Sequence, residues 1–534
     1  MAARPIPHRS ARTQIPVRGH QSRRGGRSIR RDHQTGTDLL NRGTDVSTTT
    51  QLFIDGEFQN ATDARTTPSI SPVSGEQIAR VAAAGPQDVD RAVAAARRAF
   101  TDWSRRSFQE RRMVLLGAAD GLESDIDRIA SKMALETGGT RGWAAMNVEE
   151  AAATLREAAG LTSSAIGEVL PSHEPGSTNL SLRVPAGVVL AIVPWNAPLV
   201  LAARSVAIAL AAGNTVVIRP SELSPTLAGH VLAAALTSAG APAGVVNVIT
   251  SAPGEGREVI GQLIAHPHVR RVVFIGSTPV GRQIAQVAGF NLTPAVMELG
   301  GKNPTVVLDD ADVESTARGL VVGAFANTGQ VCMATDRIIA TPRIYDALAA
   351  AVVRHVGAMI VGDPREPTTD LGPLINIAAA RHFSELVKDA HRTGASLLLG
   401  DADIDGAYAR PVVLEGLGRE ARLFHEEAFA PIVSLQRAVD DEDAIRMAND
   451  TEFGLIASVV SADPAHALHV ASRVRSGAVH VNGPSVGDEP HVPFGGIGLS
   501  GFGRLGGVES LRTFTEQRTV YLHGTTLGLP LLSD

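Results

Sequence analysis

The spacing of hydrophobic residues changes along the chain from a helical period to short strand-like runs. Apolar positions recur at helical spacing over 89–100 and 149–165, which predicts two amphipathic helices. Beyond them, β-rich runs begin near Val188, Thr215, Val245 and Arg271. Successive starts are 27, 30 and 26 residues apart, the length of a strand-helix-strand unit. The pattern therefore predicts an α/β fold with a parallel, doubly wound sheet, which would bind a nucleotide at its strand ends.

The first 50 residues differ from the rest in charge and apolar content. Nine arginines and no acidic residue occupy the first 31 positions, so the net charge of −6 leaves about −15 on the remainder. A basic stretch rich in Gly, Pro, Ser and Gln lacks the apolar surface to fold alone, and its prolines argue against the helix of a transit peptide. We expect residues 1–50 to be a disordered extension. We expect no nucleic-acid partner, because charge alone is weak evidence for one.

Composition limits the class of protein. A chain of 534 residues with 44% hydrophobic content can bury a large core and should divide into two or three domains. Its longest apolar stretch, 188–212, is interrupted by Pro194, Asn196, Pro198 and Arg204, so we expect no contact with a membrane. The 16 histidines show no metal-ligand spacing, and a single cysteine excludes an intrachain disulfide. We expect a cytoplasmic protein without a metal.

Cys332 is the single cysteine and the strongest candidate for catalytic chemistry. A lone thiol is more often a small buried hydrophobic group than a nucleophile, but motifs along the chain change that balance. They are VPWNAP at 193–198, VIRPSE at 217–222, GSTPVG at 276–281, MELGGKNP at 297–304, GQVC at 329–332, EAFAP at 427–431, NDTEFGL at 449–455 and PFGGIGLSGFGR at 493–504. This ordered series resembles the aldehyde dehydrogenase superfamily, and the likeness covers about residues 51–525.

The resemblance implies an oxidation at the thiol. Cys332 would attack the aldehyde carbonyl, and the side-chain amide of Asn196 would stabilise the oxyanion together with the backbone N–H of Cys332. Hydride transfer to NAD or NADP would leave a thioester, which water activated by Glu298 would hydrolyse to the acid. Glu298 lies between Met297 and Leu299, and apolar surroundings of that kind raise the pKa of a carboxyl.

The same resemblance assigns cofactor contacts. The implied residues are Trp195, Arg219, Ser221, Glu222, Gly276, Ser277, Gly281, Glu427 and Phe429. Instead of contacting the cofactor, Glu427 could belong to a solvated charge cluster and Phe429 could be a core residue. Arg219 stands where most relatives carry Lys, and Ala430 where they carry Gly. Arg219 suits a 2'-phosphate, but the Glu222 carboxylate repels one and accepts from a free ribose hydroxyl. We expect NAD, with NADP as the alternative.

Segments 196–204 and 479–490 resemble the branch of the family that acts on aromatic aldehydes, the vanillin, salicylaldehyde and benzaldehyde dehydrogenases. Ala197 is small enough to leave room for a ring beside the thiol, and Trp143 either stacks on that ring or packs in the core. Arg204 lies seven residues beyond Ala197 and would share its helix face. It either reaches a ring hydroxyl or forms an internal salt bridge.

Three other functions stay open at this point. An aliphatic or semialdehyde dehydrogenase would use Arg204 to hold a substrate carboxylate. A CoA-acylating dehydrogenase would not need a hydrolytic base, so the retention of Glu298 argues against it. An inactive structural homologue would not need Cys332, Glu298 and Asn196 together.

The family fold also implies a division of the chain and a homo-oligomer. The implied parts are a Rossmann-like NAD-binding domain over 51–163 and 187–297, an α/β catalytic domain over 298–512, oligomerisation segments over 164–186 and 513–525, and a tail over 526–534. A homodimer or homotetramer follows, because oligomerisation segments in this family extend the sheet of a partner. The β-rich segment 511–522 is compatible with such edge pairing.

Overall fold

The computed structural model describes residues 49–164 and 167–524. Its strands are β1 (Thr49–Thr50), β2 (Leu52–Ile54), β3 (Glu57–Gln59), β4 (Thr66–Ile70), β5 (Gln77–Ala82), β6 (Gly167–Pro171), β7 (Thr178–Pro185), β8 (Val188–Val193), β9 (Thr215–Pro220), β10 (Val246–Val248), β11 (Val269–Ile275), β12 (Ala295–Glu298), β13 (Pro304–Val307), β14 (Arg337–Ala340), β15 (Ser396–Leu399), β16 (Ile404–Asp405), β17 (Tyr408–Ala409), β18 (Val412–Glu415), β19 (Ile432–Arg437), β20 (Ile456–Val460), β21 (Ala478–Val481), β22 (Gly501–Phe502) and β23 (Thr515–Leu522). Its α-helices are α1 (Pro86–Trp103), α2 (Phe108–Ser124), α3 (Ile126–Thr137), α4 (Arg141–Leu161), α5 (Pro198–Ala211), α6 (Val231–Ser238), α7 (Gly256–Ala265), α8 (Thr278–Phe290), α9 (Val313–Phe325), α10 (Pro342–Gly357), α11 (Ile377–Arg392), α12 (Arg422–His425), α13 (Asp441–Ala448), α14 (Pro464–Ala471) and α15 (Gly507–Thr513).

The predicted terminal segments fall mostly outside the described residues. The tail at 526–534 lies outside them, and so does the extension except for its last two residues. Thr49 and Thr50 form β1, which pairs in parallel with β5 in a small sheet that also contains β4. The prediction of disorder was therefore wrong for these two residues, because their backbone groups are held by a neighbouring strand.

The largest sheet has eight strands in the order β22-β12-β11-β8-β9-β10-β2-β3. The five central strands, β12, β11, β8, β9 and β10, run parallel to one another. At the edges, β22 pairs antiparallel with β12, β2 pairs antiparallel with β10, and β3 pairs antiparallel with β2. The four predicted runs are β8, β9, β10 and β11, which confirms the α/β class and the parallel sheet. Chain order reverses between β8 and β11, so a ligand crevice is expected at the carboxyl ends of these two strands.

Side chains of the central strand β8 alternate between two cores. Its odd-numbered residues pack into one core and its even-numbered residues into the other, as a pleated strand requires. Helices α4 and α5 cover the first face, and α1, α7 and α8 cover the second. Burial on both faces explains the continuous apolar run of β8, and it confirms the doubly wound arrangement.

Helix α4 begins earlier than the sequence pattern predicted. The Thr140 hydroxyl accepts a hydrogen bond from the backbone N–H of Trp143 at 3.4 Å, and this cap starts the helix at Arg141. The helix ends at Leu161, before the predicted end at 165. The early start matters because it places Trp143 in the first turn of a fixed helix. The helix predicted at 89–100 lies within α1.

A second sheet has seven strands in the order β15-β18-β19-β14-β13-β20-β21. All neighbours are parallel except β15 and β18. The buried Arg337 side chain at the start of β14 donates hydrogen bonds of 2.9 to 3.1 Å to the backbone carbonyls of Lys302, Met447 and Ala448. These bonds fix the beginning of β14 just after Cys332.

Two of the three lysines lie in the interior. Lys302 is buried and pairs with Asp336, and Lys132 is buried with its Nζ 4.0 Å from Glu136 Oε1. Lys388 on α11 is exposed. Because 46 of the 49 basic residues are arginines, the cations of the described surface are nearly all guanidinium groups.

A three-stranded sheet forms from the segments that flank the rest of the fold. β23 pairs antiparallel with β7 along its whole length, and β7 pairs antiparallel with β6. Every residue of β6 is exposed. In the predicted β-rich segment 511–522, residues 511–513 belong to α15 and the strand begins at Thr515.

Candidate active site

The loop that carries Cys332 follows a short run of left-handed backbone. Asn327, Thr328 and Gly329 have φ values of 49°, 59° and 72°, a conformation that residues with a side chain rarely adopt. Gly329 is required because a Cβ there would lie 2.2 Å from the carbonyl oxygen of Ala430. Such strained backbone persists only where the surroundings determine it, and it is common at functional sites.

The Asn303 side chain also anchors the loop that carries Cys332. Its Nδ2 donates hydrogen bonds to the carbonyl oxygens of Cys332 at 2.7 Å and Ala334 at 2.9 Å. The Cys332 side chain is half-buried and packs against an apolar cluster that contains Leu455 and Phe494. The position of the thiol is therefore set by contacts on both sides of the loop.

The electrostatic surroundings of Cys332 disfavour the thiolate. Burial raises the pKa of the thiol to about 12, with further contributions from the carboxylates of Glu427 and Glu298, while Arg204 acts in the opposite direction. A thiol of this pKa is protonated at neutral pH. A nearby base must take its proton before the sulfur can attack a carbonyl.

Glu298 ends β12 and supplies such a base. Its side chain is 4% exposed, and neither carboxylate oxygen has a hydrogen-bond partner within the described residues. Burial raises the pKa of Glu298 well above its ordinary value, and the charges of Arg204 and Arg504 oppose that shift. The backbone at Gly495 lies against the Glu298 carboxylate, and glycine permits this contact because a Cβ at position 495 would lie 2.6 Å from Glu298 Oε1. The raised pKa expected from the apolar neighbours in the sequence is present.

Asn196 joins the end of β8 to the Cys332 loop. Its Nδ2 donates a hydrogen bond to the backbone carbonyl of Gln330 at 3.0 Å. Its own backbone carbonyl accepts from the Trp143 indole N–H at 2.9 Å and from the Asn327 amide at 3.1 Å. A side-chain amide has two N–H groups, so one holds the loop and the second can stabilise a developing oxyanion.

The three predicted substrate residues lie beside this centre. Ala197 is buried at the N-cap of α5. Trp143 is half-buried and packs against the same core cluster as Ala197. Arg204, buried within α5, forms an ion pair with Asp488, and its Cζ lies 5.2 Å from the ring centre of Phe494. Of the two interpretations left open for Arg204, the structure shows the internal salt bridge.

A cavity of about 480 Å³ opens at the carboxyl ends of β8, β9 and β11. Six of the predicted cofactor residues line it, namely Trp195, Arg219, Ser221, Glu222, Gly276 and Ser277. Arg219 Nη2 donates hydrogen bonds to Ser251 Oγ at 2.7 Å and to Glu222 Oε2 at 3.0 Å. Ser277 is the N-cap of α8, where backbone N–H groups and the helix dipole favour an anion. A carboxylate acceptor, hydroxyl groups and the N–H donors of a helix end together suit a dinucleotide.

The remaining predicted cofactor residues have different surroundings. Glu427 Oε1 accepts a hydrogen bond from the Gly301 N–H at 3.1 Å, and burial raises the pKa of Glu427 to about 8. Phe429 has a φ of 44° and meets Trp195 edge-on at 5.6 Å between ring centres. Gly281 permits close packing of α8, because a Cβ there would lie 2.5 Å from Leu299 Cδ2.

Residues 58–520 match the aldehyde dehydrogenase family. The chain belongs to that family. Vanillin dehydrogenase from Pseudomonas fluorescens is 44% identical over 480 residues, which cover 90% of this chain and 99% of that protein. A salicylaldehyde dehydrogenase from Pseudomonas putida G7, crystallised with salicylaldehyde, has a TM-score of 0.88 at 36% identity and covers 90% of this chain and 99% of its own. Betaine aldehyde dehydrogenase from Staphylococcus aureus, in complex with NAD+, has a TM-score of 0.88 at 29% identity, covering 93% and 99%.

As an aldehyde dehydrogenase, the protein is an oxidoreductase that oxidises aldehydes with NAD or NADP. The cavity beside Trp195 and Glu222 fits such a cofactor in size and in donor chemistry. Within 49–164 and 167–524, the helices all lack the length or the apolar character needed to cross a membrane.

Several residues of this aldehyde dehydrogenase site were not singled out from the sequence. They are Asn303, Gln330, Asp488, Phe494 and Arg504. Each lies in or beside a quoted motif, so the motifs located the right segments. Most of their partners lie far along the chain, as Arg204 does from Asp488 and Phe494, and no local pattern identifies such a partner. Arg504 differs, because it donates to the nearby carbonyls of Gly496 and Gly503.

Proposed function

We propose that this aldehyde dehydrogenase oxidises aromatic aldehydes to carboxylic acids, with NAD as the preferred cofactor. The observation that carries the proposal is the convergence of Cys332, Glu298 and Asn196 beside Trp143 and Phe494. Aromatic side chains in the wall suit a planar ring. The similarity to vanillin and salicylaldehyde dehydrogenases supports the same substrate class.

The first step forms a covalent bond between the sulfur and the aldehyde carbon. Glu298, whose raised pKa brings it towards that of a useful base, accepts the thiol proton as Cys332 attacks. The carbonyl oxygen becomes an oxyanion, which the free N–H of Asn196 and the backbone N–H of Cys332 stabilise. Loss of one such donor typically slows a reaction by about 10²–10³-fold.

The second step releases the acid from the enzyme. When bound, NAD or NADP supplies the hydride acceptor that converts the tetrahedral adduct into a thioester. Glu298 first releases the thiol proton to solvent. It then takes a proton from water as the oxygen attacks the thioester carbon, the Cys332 sulfur leaves as a thiolate, and Glu298 returns this proton to the sulfur. Both Glu298 carboxylate oxygens lack a hydrogen-bond partner among the described residues, which leaves this base free to bind that water.

The preference for NAD rests on the pairing of Arg219. Its Nη2 is bound to Glu222 and Ser251, so its charge is already compensated. A 2'-phosphate in this cavity would meet the Glu222 carboxylate, whereas a ribose hydroxyl could donate to it.

The alternatives are disfavoured by particular contacts. A semialdehyde dehydrogenase would need Arg204 free to bind a carboxylate, and Arg204 is paired with Asp488. A CoA-acylating enzyme has no need for a buried base such as Glu298. An inactive homologue would not need the amide, thiol and carboxylate to meet.

The division into domains and the assembly are parts of the same proposal. The eight-stranded sheet corresponds to the NAD-binding domain at 51–163 and 187–297, except for β22, and the seven-stranded sheet lies within 298–512. The exposed strand β6 and its sheet suit pairing with another copy, so we expect a homodimer or homotetramer. We place the enzyme in the cytoplasm, since its one cysteine is used as a thiol.

The test is reduction of NAD and of NADP, in parallel, by the purified protein with benzaldehyde, salicylaldehyde, vanillin, an aliphatic aldehyde and succinic semialdehyde. Fast NAD-dependent oxidation of the ring aldehydes, lost in Cys332→Ala, is the expected result. A preference for the aliphatic or semialdehyde substrates would refute the aromatic assignment. Activity that survives Cys332→Ala would refute the mechanism.

A further inference from the structure

The ion pair of Arg204 and Asp488 lies beside Phe494, close to Cys332. The two side chains are 7% and 15% exposed. Arg204 lies over the Phe494 ring, and Phe494 belongs to the apolar cluster that contacts Cys332. The pair is therefore close to the position that a substrate ring would occupy.

The charges of this pair reach the reacting groups. Arg204 lowers and Asp488 raises the pKa of both Glu298 and Cys332, although burial is the largest influence on each. The two members thus have opposite effects at the same centre, so Asp488 offsets the field of the arginine.

The other charged groups near this ion pair do not supply an unpaired cation for a substrate carboxylate. Glu150 lies seven residues after Trp143 on α4 and has a pKa raised by burial and then by Asp488. Arg504, the second arginine near Glu298, donates from Nη1 to the carbonyls of Gly496 at 2.9 Å and Gly503 at 2.7 Å. An entering anion would thus meet two carboxyl groups and a guanidinium that already has a partner.

We propose that Asp488 is a specificity-determining residue that makes the enzyme select uncharged aldehydes over aldehydes with a carboxylate. By pairing with Arg204 it removes the cation that could bind a substrate carboxylate, and its own charge repels one. A buried anion without a partner is strongly disfavoured, whereas a neutral ring gains contacts with Trp143 and Phe494. This inference rests on the proposed function and narrows its substrate class.

The test compares two matched pairs of substrates: 4-carboxybenzaldehyde with 4-formylbenzamide, and 3-carboxybenzaldehyde with 3-formylbenzamide. Each pair differs in charge but hardly in shape. In the wild type we expect kcat/KM to favour the amide by about tenfold or more, and in Asp488→Asn we expect this ratio to fall by at least about tenfold. Asp488→Glu, which keeps the charge, should keep the preference.

Glu489→Gln is the matched control, because Glu489 is the exposed neighbour of Asp488 and pairs with His491 at 3.5 Å. Its ratio should stay within about twofold of the wild type. If Asp488→Asn does not fold, the double variant Arg204→Met with Asp488→Asn leaves neither member of the pair charged. Because this double variant removes the attraction of Arg204 and the repulsion of Asp488 together, its ratio should stay near that of the wild type, and a fall of about tenfold or more would contradict the role given to a freed Arg204.

Two results would overturn the inference: a wild-type preference for the carboxylate in both pairs, or a ratio in Asp488→Asn that equals that of Glu489→Gln. Failure of the wild type to oxidise benzaldehyde or either amide would instead refute the proposed function, so the two failures are distinguishable.

Discussion

Replacement of Glu298 by Gln should separate the two halves of the reaction. The substitution keeps the shape of the side chain and removes its ability to accept a proton. A general base contributes about 10²–10⁴-fold, which corresponds to about 3–5 kcal/mol of activation free energy. The structure favours the upper part of this range, because Glu298 is 4% exposed and both of its carboxylate oxygens lack a hydrogen-bond partner among the described residues. We expect turnover to fall by about 10³-fold or more.

Rapid-mixing measurement of reduced cofactor gives the assay. Because Glu298 is the base in both steps, the variant should release about one equivalent of reduced cofactor per site more slowly than the wild type and should then stall at the thioester. A variant that keeps its steady-state rate would refute the role of Glu298, and one without a first turnover would place that role before the thioester. Glu314→Gln, a surface substitution in a pair with Arg354 and His355, should match the wild type.

The pH dependence gives a second measure of the same group. Because burial raises the pKa of Glu298, wild-type kcat should be lost as pH falls through that raised value, and Glu298→Gln should lack this limb. The contribution of Glu298 to the free energy of unfolding depends on pH in the opposite direction. It is present below the ordinary pKa of a carboxyl and is lost as pH rises through the raised folded value, so thermal unfolding of the variant should lose this pH dependence.

Four further substitutions test other parts of the site. Cys332→Ser should lower kcat by about 10³-fold or more and abolish the first turnover, with cofactor binding by calorimetry unchanged. Asn196→Ala should lower kcat by about 10²–10³-fold in steady-state assays with a smaller effect on KM, and an unchanged kcat would contradict its role in stabilising the oxyanion. Glu222→Gln should raise kcat/KM for NADP relative to NAD by about tenfold. An unchanged ratio would show that the Glu222 carboxylate does not set the preference for NAD. Gly329→Ala should lower the free energy of unfolding by about 1–3 kcal/mol in denaturant titrations, because its Cβ would meet the Ala430 carbonyl at 2.2 Å; an unchanged midpoint would show that the loop can relax.

The parts of the fold that the sequence predicted are those with a local signal. The continuous apolar run of β8 and the regular spacing of the next three strands are properties of neighbouring residues, so the parallel sheet could be inferred. The place of β22 could not, because Gly501 and Phe502 pair with β12 about 200 residues earlier. The start of α4 was missed because a single Thr140 cap, and no apolar period, sets it.

The site shows the same division. Cys332, Glu298 and Asn196 could be proposed from the sequence because each lies in a recognisable motif. The state of Arg204 stayed open, since a salt bridge to Asp488 crosses from a helix to a loop 284 residues later. Only the folded chain decides whether such an arginine is free to bind a substrate.

The scarcity of lysine has a chemical consequence for an enzyme that handles aldehydes. Free amines condense with aldehydes to imines, and an unprotonated lysine at the surface is exposed to this side reaction with every substrate molecule. Lys132 and Lys302 are buried in ion pairs, and Lys388 is the one lysine on the described surface. Guanidinium groups, which remain protonated, carry the other positive side-chain charges. Prolonged incubation with a reactive aldehyde and a reducing agent should therefore add substrate to few lysine positions, with Lys388 the main one.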